Sequence, residues 1–274
     1  MVDALRLHWP EYLIEAAGLG VFMLSACLLT ALLEHPSSPV KAALPSATFR
    51  RFLLGLGMGA TAVAIVYSPW GQRSGAHINP AVTLSFLRLR KIARCDAAFY
   101  IPAQLLGSIA GVALSAALIP RLIADPSVRY GATVPGRDGP LVALAAELVI
   151  SFVLMSVVLA VGSSPRWSKL TGAATGALVT LFVFVAAPLS GFGMNPARSA
   201  GSAIVSGIWT AWWIYLFAPP FAMLLATEVH RRIFGARAMA CAKIHHGRAV
   251  ACIFCGADAL EPVPTGSHAK ALDQ

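Results

Sequence analysis

The chain has 274 residues, of which 57% are hydrophobic and only 12% charged, whereas a typical soluble domain is about 25% charged. Its formal net charge is +9. So sparse a charge complement excludes an ordinary water-soluble enzyme. It also makes the gaps between charged residues a map of what can cross a bilayer, since a spanning helix needs roughly 20 apolar residues.

In chain order, the uncharged stretches 16–33, 52–72, 97–120 and 148–165 are each long enough to span. The first is preceded by Glu11 and Glu15 and ends at Glu34-His35 without a small-residue cleavage pattern, so it reads as an uncleaved helix and not as a signal peptide. From 170 to 227 the only charge is Arg198, which divides a tract far too long for one helix and slightly long for two. Six spans fit, with polypeptide left over. Segment 74–87, bounded by Arg73 and Arg88, is too short to cross and too apolar for an ordinary loop, and reads as re-entrant. The stretch after Gly191 has the same character. Two half-crossing segments among six spans point to a transporter or channel.

With both termini in the cytoplasm, fourteen Lys and Arg fall on that side and six on the other, Arg198 set aside. That asymmetry fits the positive-inside rule for an integral protein of the plasma (inner) membrane. The basic surplus belongs to loops and a tail, so nucleic acid is not an expected partner.

The two halves repeat. Glu15 and Glu147 each sit early in the first helix of a half, and each is followed by a second span and an Asn-Pro-Ala. The two copies are Ser74-Gly-Ala-His77-Ile-Asn79-Pro80-Ala81 and Ser190-Gly-Phe192-Gly-Met-Asn195-Pro196-Ala197-Arg198. Three spans per half make the second copy enter from the opposite side, giving inverted halves of about 11–120 and 141–233. Asn before Pro caps a helix well, and Pro at the first helical position sacrifices no intrahelical bond. The helix after Asn79 has about 9 residues before Arg88, roughly 14 Å, near half of a ~30 Å hydrocarbon core. One Asn-Pro-Ala is ordinarily a turn before a helix. Two, in inverted halves and in sub-spanning segments, describe half-helices that meet at the midplane.

On these motifs, above all Ser-Gly-Ala-His with Asn-Pro-Ala and the second Asn-Pro-Ala-Arg, the sequence resembles the aquaporin, or major intrinsic protein, family over roughly residues 11–232. The resemblance implies an all-α membrane fold of six transmembrane helices and two re-entrant half-helices. It further implies a homotetramer that conducts water passively, excludes protons and ions, and needs no cofactor for transport. Carried over by position, Asn79 and Asn195 line the pore, Arg198 stands in the narrow filter, and His77 lines the first re-entrant loop. Phe192 and Val183 are the filter positions three and twelve residues before Asn195. The match on the second span falls on Gly59 by direct count. It falls on Leu56 if Tyr67-Ser-Pro-Trp-Gly-Gln-Arg73 holds an insertion of about three residues, and Leu56 is the expected position. The family's water-selective pattern has His where Val183 falls, so the filter is expected to be less polar and wider. Ser199, Ala203 and Tyr215 match the water group, whereas Leu216 and Phe192 lean toward the glycerol group. The family also implies that Glu15 and Glu147 accept hydrogen bonds from backbone N–H groups of the re-entrant loops, which otherwise lack partners in a membrane.

Three functions stay open: a water channel that also passes small neutral solutes, a glycerol-type facilitator, and a non-conducting scaffold. An enzyme is disfavoured, since no nucleophile, base and oxyanion set stands out. Gly107 with Gly111 and Gly172 with Gly176 have the small-xxx-small spacing of close helix crossings, within the subunit or in the tetramer. The channel domain is taken as 1–235, and composition changes in the tail, 236–274. There Cys241, His245 or His246, Cys252 and Cys255 offer a structural zinc shell, with reduced thiols and redox or lipid attachment as alternatives. Residues 256–274 read as disordered from composition. Conduction is expected to survive removal of everything after Gly235.

Overall fold

The computed structural model describes residues 1–235, 239–246 and 252–256. The disorder expected of the end of the chain falls, from 257 on, outside the described residues. Among the described residues eight helices of nine residues or more build the fold: α1 (Val2–Glu34), α2 (Ala47–Tyr67), α3 (Pro80–Arg88), α4 (Arg94–Leu118), α5 (Gly139–Gly162), α6 (Thr171–Ser190), α7 (Pro196–Ser206) and α8 (Trp213–Phe234). Short turns of helix lie between them, and no strand occurs among the described residues.

Helices α1, α2, α4, α5 and α6 are long and apolar enough to cross a membrane. At 22 residues α8 has the length of a sixth span, but Pro219 and Pro220 lie inside it and Arg231 and Arg232 in its last turn, so it is less apolar. The two short helices α3 and α7 begin at Pro80 and Pro196, each capped by the preceding Asn. With 9 and 11 residues, they reach about 14 and 17 Å, half a bilayer each.

The packing has inverted symmetry. Helix α1 lies mainly on α4, and its counterpart α5 on α8; α2 and α6 meet across the two halves. Each half-helix rests on the last long helix of the opposite half, α3 on α8 and α7 on α4. Neither half could therefore bury its own re-entrant segment alone.

Glycines set the closest approaches. A methyl group added at Gly107 would overlap the Ala16 carbonyl, and one at Gly111 would overlap the Gly20 carbonyl, so the α1–α4 crossing brings backbone against backbone. Gly59 and Gly176 do the same for α2 and α6. Gly107, Gly111 and Gly176 thus serve crossings inside the subunit.

Arg73 pairs with Glu11 at 2.8 Å and Arg88 with Glu228 at 2.8 Å. These bonds put the start of α1, the end of α8 and the outer end of α3 on one side, the terminal face. On the other face Arg50 is buried, bonded to Glu34 and to the carbonyls of Leu44 and Pro45. The loop 124–138 folds down there, held by Gly136 N–H on the Leu189 carbonyl at 2.8 Å.

Candidate pore and its two ends

Both re-entrant loops take the same unusual backbone path. Gly75, Ala76 and Ile78 have φ of 93°, 53° and 40°; Gly191, Phe192 and Met194, at the same offsets from their Asn, have 75°, 58° and 51°. Non-glycine residues in this left-handed region cost about 1–3 kcal/mol each unless their surroundings fix them. Two carboxylates do so. Glu15 accepts from the backbone N–H groups of His77 and Ile78 at 3.0 and 2.6 Å, and from the Ser74 hydroxyl at 2.8 Å. Glu147 accepts from Gly193 and Met194 N–H at 2.7 Å each, and from Ser190 at 2.6 Å. Tyr100 and Tyr215 complete the parallel, donating to the carbonyls of Ser74 and Ser190 at 2.8 and 2.6 Å. Gln104 adds a bond to Glu15 at 2.8 Å, for which Glu147 has no counterpart among the described residues.

The carboxylates draw the loop N–H groups outward, and the alternating backbone turns the carbonyls the other way. Those of Phe192 and Gly193 accept nothing from the described residues. They are free to receive hydrogen bonds.

Where the half-helices meet, the two Asn side chains bind across the interface. Asn79 Oδ1 accepts from Ala81 N–H at 2.9 Å, while its amide donates to the Met194 carbonyl at 2.8 Å. Asn195 Oδ1 accepts from Ala197 and Arg198 N–H, both at 3.1 Å, and its amide donates to the Ile78 carbonyl at 2.7 Å. An Asn amide has two N–H donors. One of each pair is thus spent holding the opposite loop, and one remains for water.

Toward the face opposite the termini the site opens into a cavity of about 320 Å³, lined by Arg198, Phe192, Val183, Leu54, Met58, Phe22 and the loop residues 126–129 among others. Arg198 is buried, and its Nε and Nη1 bind nothing among the described residues. Arg198 thus brings a permanent cation to the cavity wall. Val183 and Phe192, the positions carried over from the family resemblance, line the same cavity. Leu56 does not. It is 50% exposed on the outer side of α2, because it lies half a turn away from Leu54 and Met58, which do line the cavity. Gly55 and Gly59 against α6 mark the packed side of α2 and place Met58 next to it, a periodicity that motif counting passed over. The loop 124–138, unremarkable in sequence, contributes the cavity's outer wall.

At the terminal face, tail residues cover the first loop. His77 is 1% exposed, with Nε2 bonded to the Ala242 carbonyl at 2.6 Å and Nδ1 to Thr83 at 3.1 Å. Ile244 N–H donates to the Gly75 carbonyl at 3.1 Å. The Phe254 ring lies parallel to His77, with centroids 5.8 Å apart. Beyond them Cys241, His246, Cys252 and Cys255 hold their ligand atoms within 4.8 Å of one another. His245 is not among them, since its ring packs edge-on against Tyr67. Hydrogen bonding to Cys241 draws the Cys252 thiol well below its ordinary pKa, and contacts with Cys252 and Cys255 push His246 up to about 9.

The family model described as Major intrinsic protein matches residues 7–230. A probable aquaporin of the NIP type from Nicotiana alata is 39% identical over 176 residues, which are 64% of this chain and 63% of that protein. Aquaporin NIP2-3 of Zea mays is 37% identical over 187 residues, 68% of this chain and 60% of that one. The chain therefore matches less than two thirds of the length of these relatives. Among solved structures, the aquaglyceroporin from Plasmodium falciparum has a TM-score of 0.69 at 20% identity, covering 84% of this chain and 98% of that one, a likeness of fold.

Proposed function

The chain belongs to the major intrinsic protein family, and from that premise we propose that it forms a passive transmembrane pore for water and other small neutral solutes. The observation that carries the reading is the reciprocal binding of Asn79 to the Met194 carbonyl and Asn195 to the Ile78 carbonyl. It fixes the N-terminal ends of α3 and α7 head to head. Each end carries about half a positive elementary charge, so cations and hydronium are repelled where the half-helices meet. The spare amide N–H of each Asn orients a passing water oxygen toward it, which turns that water's hydrogens away and breaks a proton-conducting chain.

Arg198, Phe192, Val183 and Met58 form the selective constriction. Its apolar walls favour a range that includes small polyols, so the glycerol-type facilitator is kept as the second reading. Glu15 and Glu147 position the loops. The channel domain spans 1–235, both termini are cytoplasmic in the plasma (inner) membrane, and the pores assemble as a homotetramer. The homologues named aquaporin support a transport role over catalysis.

Stopped-flow swelling of proteoliposomes, under a sucrose shock and then a glycerol gradient, tests the reading. Water flux above empty vesicles with a low activation energy and no proton leak is expected. No added flux, with insertion verified and the tail either present or removed after Gly235, would sink it.

A further inference from the structure

The tail stretches 239–246 and 252–256 contain no helix or strand, and so little chain cannot bury a core of its own. Ala242 is nevertheless fully buried, and Met239, Cys241, Lys243, Ile244 and Cys252 nearly so. Part of this burial is packing against the channel domain, where Met239 and Ala242 join its core and Ile244 lies with Val66 and Ala76; a covalent bridge or a metal is what holds two such short stretches to each other. Cys241 and Cys252 have their sulfurs 3.4 Å apart, and His246 Nε2 lies 3.3 Å from the Cys255 sulfur. A disulfide would use two of these groups and strand the others. A tetrahedral ion uses all four, and with Zn–S near 2.3 Å its ligand atoms stand roughly 3.4–3.8 Å apart.

We propose that Cys241, His246, Cys252 and Cys255 bind one zinc ion, and that the knuckle so closed is a plug in the pore mouth on the terminal face. The second half of this proposal rests on the channel reading above. Three thiols give up their protons to solvent and His246 binds as neutral imidazole, so the loaded site carries a net charge of −1. Lys243, two residues from Cys241, is 3% exposed, and its ammonium has no partner among the described residues. A buried ammonium is costly alone. The anionic zinc–thiolate centre is the counter-charge that this position calls for.

The plug occupies the groups a permeating water would use. The Ala242 carbonyl takes the ring nitrogen of His77, Ile244 N–H takes the Gly75 carbonyl, and Phe254 lies flat on the imidazole. Residues Ala76 and His77, at the entrance to the first re-entrant loop, are each left 1% exposed. Such a seal depends on a tail held in one shape, and the metal supplies that. Release of the ion frees Ala242 and Phe254 from their fixed spacing and opens the mouth. The expectation that conduction is indifferent to the tail is thereby reversed.

Elemental analysis of full-length protein purified without chelator is expected to find one zinc per chain, and Cys252→Ser with Cys255→Ser less than about a tenth of that. So low a content in the unaltered chain, or a Cys241–Cys252 disulfide in the metal's place, overturns the site. In proteoliposomes the zinc-loaded chain should pass water slowly. A membrane-permeant chelator, the double serine variant, and Phe254→Ala, which leaves every ligand in place, should each raise permeability several-fold. Permeability indifferent to all three, in a chain that does conduct, overturns the plug while the zinc count still decides the site. If the chain ended after Gly235 is also no faster than empty vesicles, the channel reading falls and the plug with it.

Discussion

Arg198 brings a permanent charge to a wall otherwise shaped by Phe22, Leu54, Met58, Val183 and Phe192. Its backbone N–H is fixed on Asn195 Oδ1 and its carbonyl accepts from Ser108 at 3.4 Å, so the main chain that carries the guanidinium is held by the loop. Arg198→Val removes both bulk and charge there. Glycerol flux relative to water flux should rise several-fold, with a proton leak appearing, in the same swelling assay run with a pH-sensitive dye; an unchanged solute ratio and no leak would place Arg198 outside the constriction. This residue was legible because a lone charge in an apolar tract of such length has few structural uses. Glu15 and Glu147 were legible from their matching places in the two halves together with the family resemblance, and each accepts the loop N–H groups. Tyr100 and Gln104 were not, since a tyrosine or glutamine within a span is common and nothing in its spacing says which carbonyl or carboxylate it reaches. Leu56 was misplaced because an offset carried through a loop of uncertain length does not fix a position to within the half turn that separates lining from lipid.

Helix α4 illustrates how an element is placed by absence of side chain. Gly107 and Gly111 recur every four residues, which puts both on one face, and that face meets the backbone of α1 at Ala16 and Gly20. Gly107→Leu should force the pair apart, at a cost of about 1–3 kcal/mol for overpacking where the neighbour is backbone and cannot yield. Since Glu15 lies on α1 and Tyr100 and Gln104 on α4, the same displacement would pull the supports of the first loop away from it. The expected outcome is a lower melting temperature in detergent together with reduced flux; native-like melting would mean that the crossing tolerates a gap. Charge gaps disclosed four spans directly and the last two as a tract divided by Arg198, because a bilayer allows few lengths. They were silent on the loop 124–138, whose polar and apolar residues resemble any surface turn and whose position over the cavity depends on contacts such as Gly136 with Leu189.

At the scale of the whole molecule the two halves are joined by an exchange: each half-helix lies on the other half's final span, and each Asn holds the other half's loop. That the halves are inverted could be read from two Asn-Pro-Ala copies separated by an odd number of spans; that their amides are spent on Met194 and Ile78 could not, because the pairing is a matter of where two chain segments meet in space. The exchange makes a quantitative prediction. Asn79→Ala removes the cap of α3, worth about 1 kcal/mol, and one crossing bond, worth about another; Asn195→Ala does the same for α7. Were the two sites independent, the double variant would lose the sum. They share one interface, and once either bond is gone the loops can separate and the remaining bond no longer holds the native geometry, so part of what the second substitution would remove has already been lost. The double variant should therefore be less destabilised than the sum by about 0.5–1 kcal/mol, the low end of the range found for residues in contact, in a double-mutant cycle on denaturant unfolding in detergent. Strict additivity would show that each Asn acts as a cap for its own helix and that the head-to-head joint owes its rigidity to Glu15 and Glu147 alone.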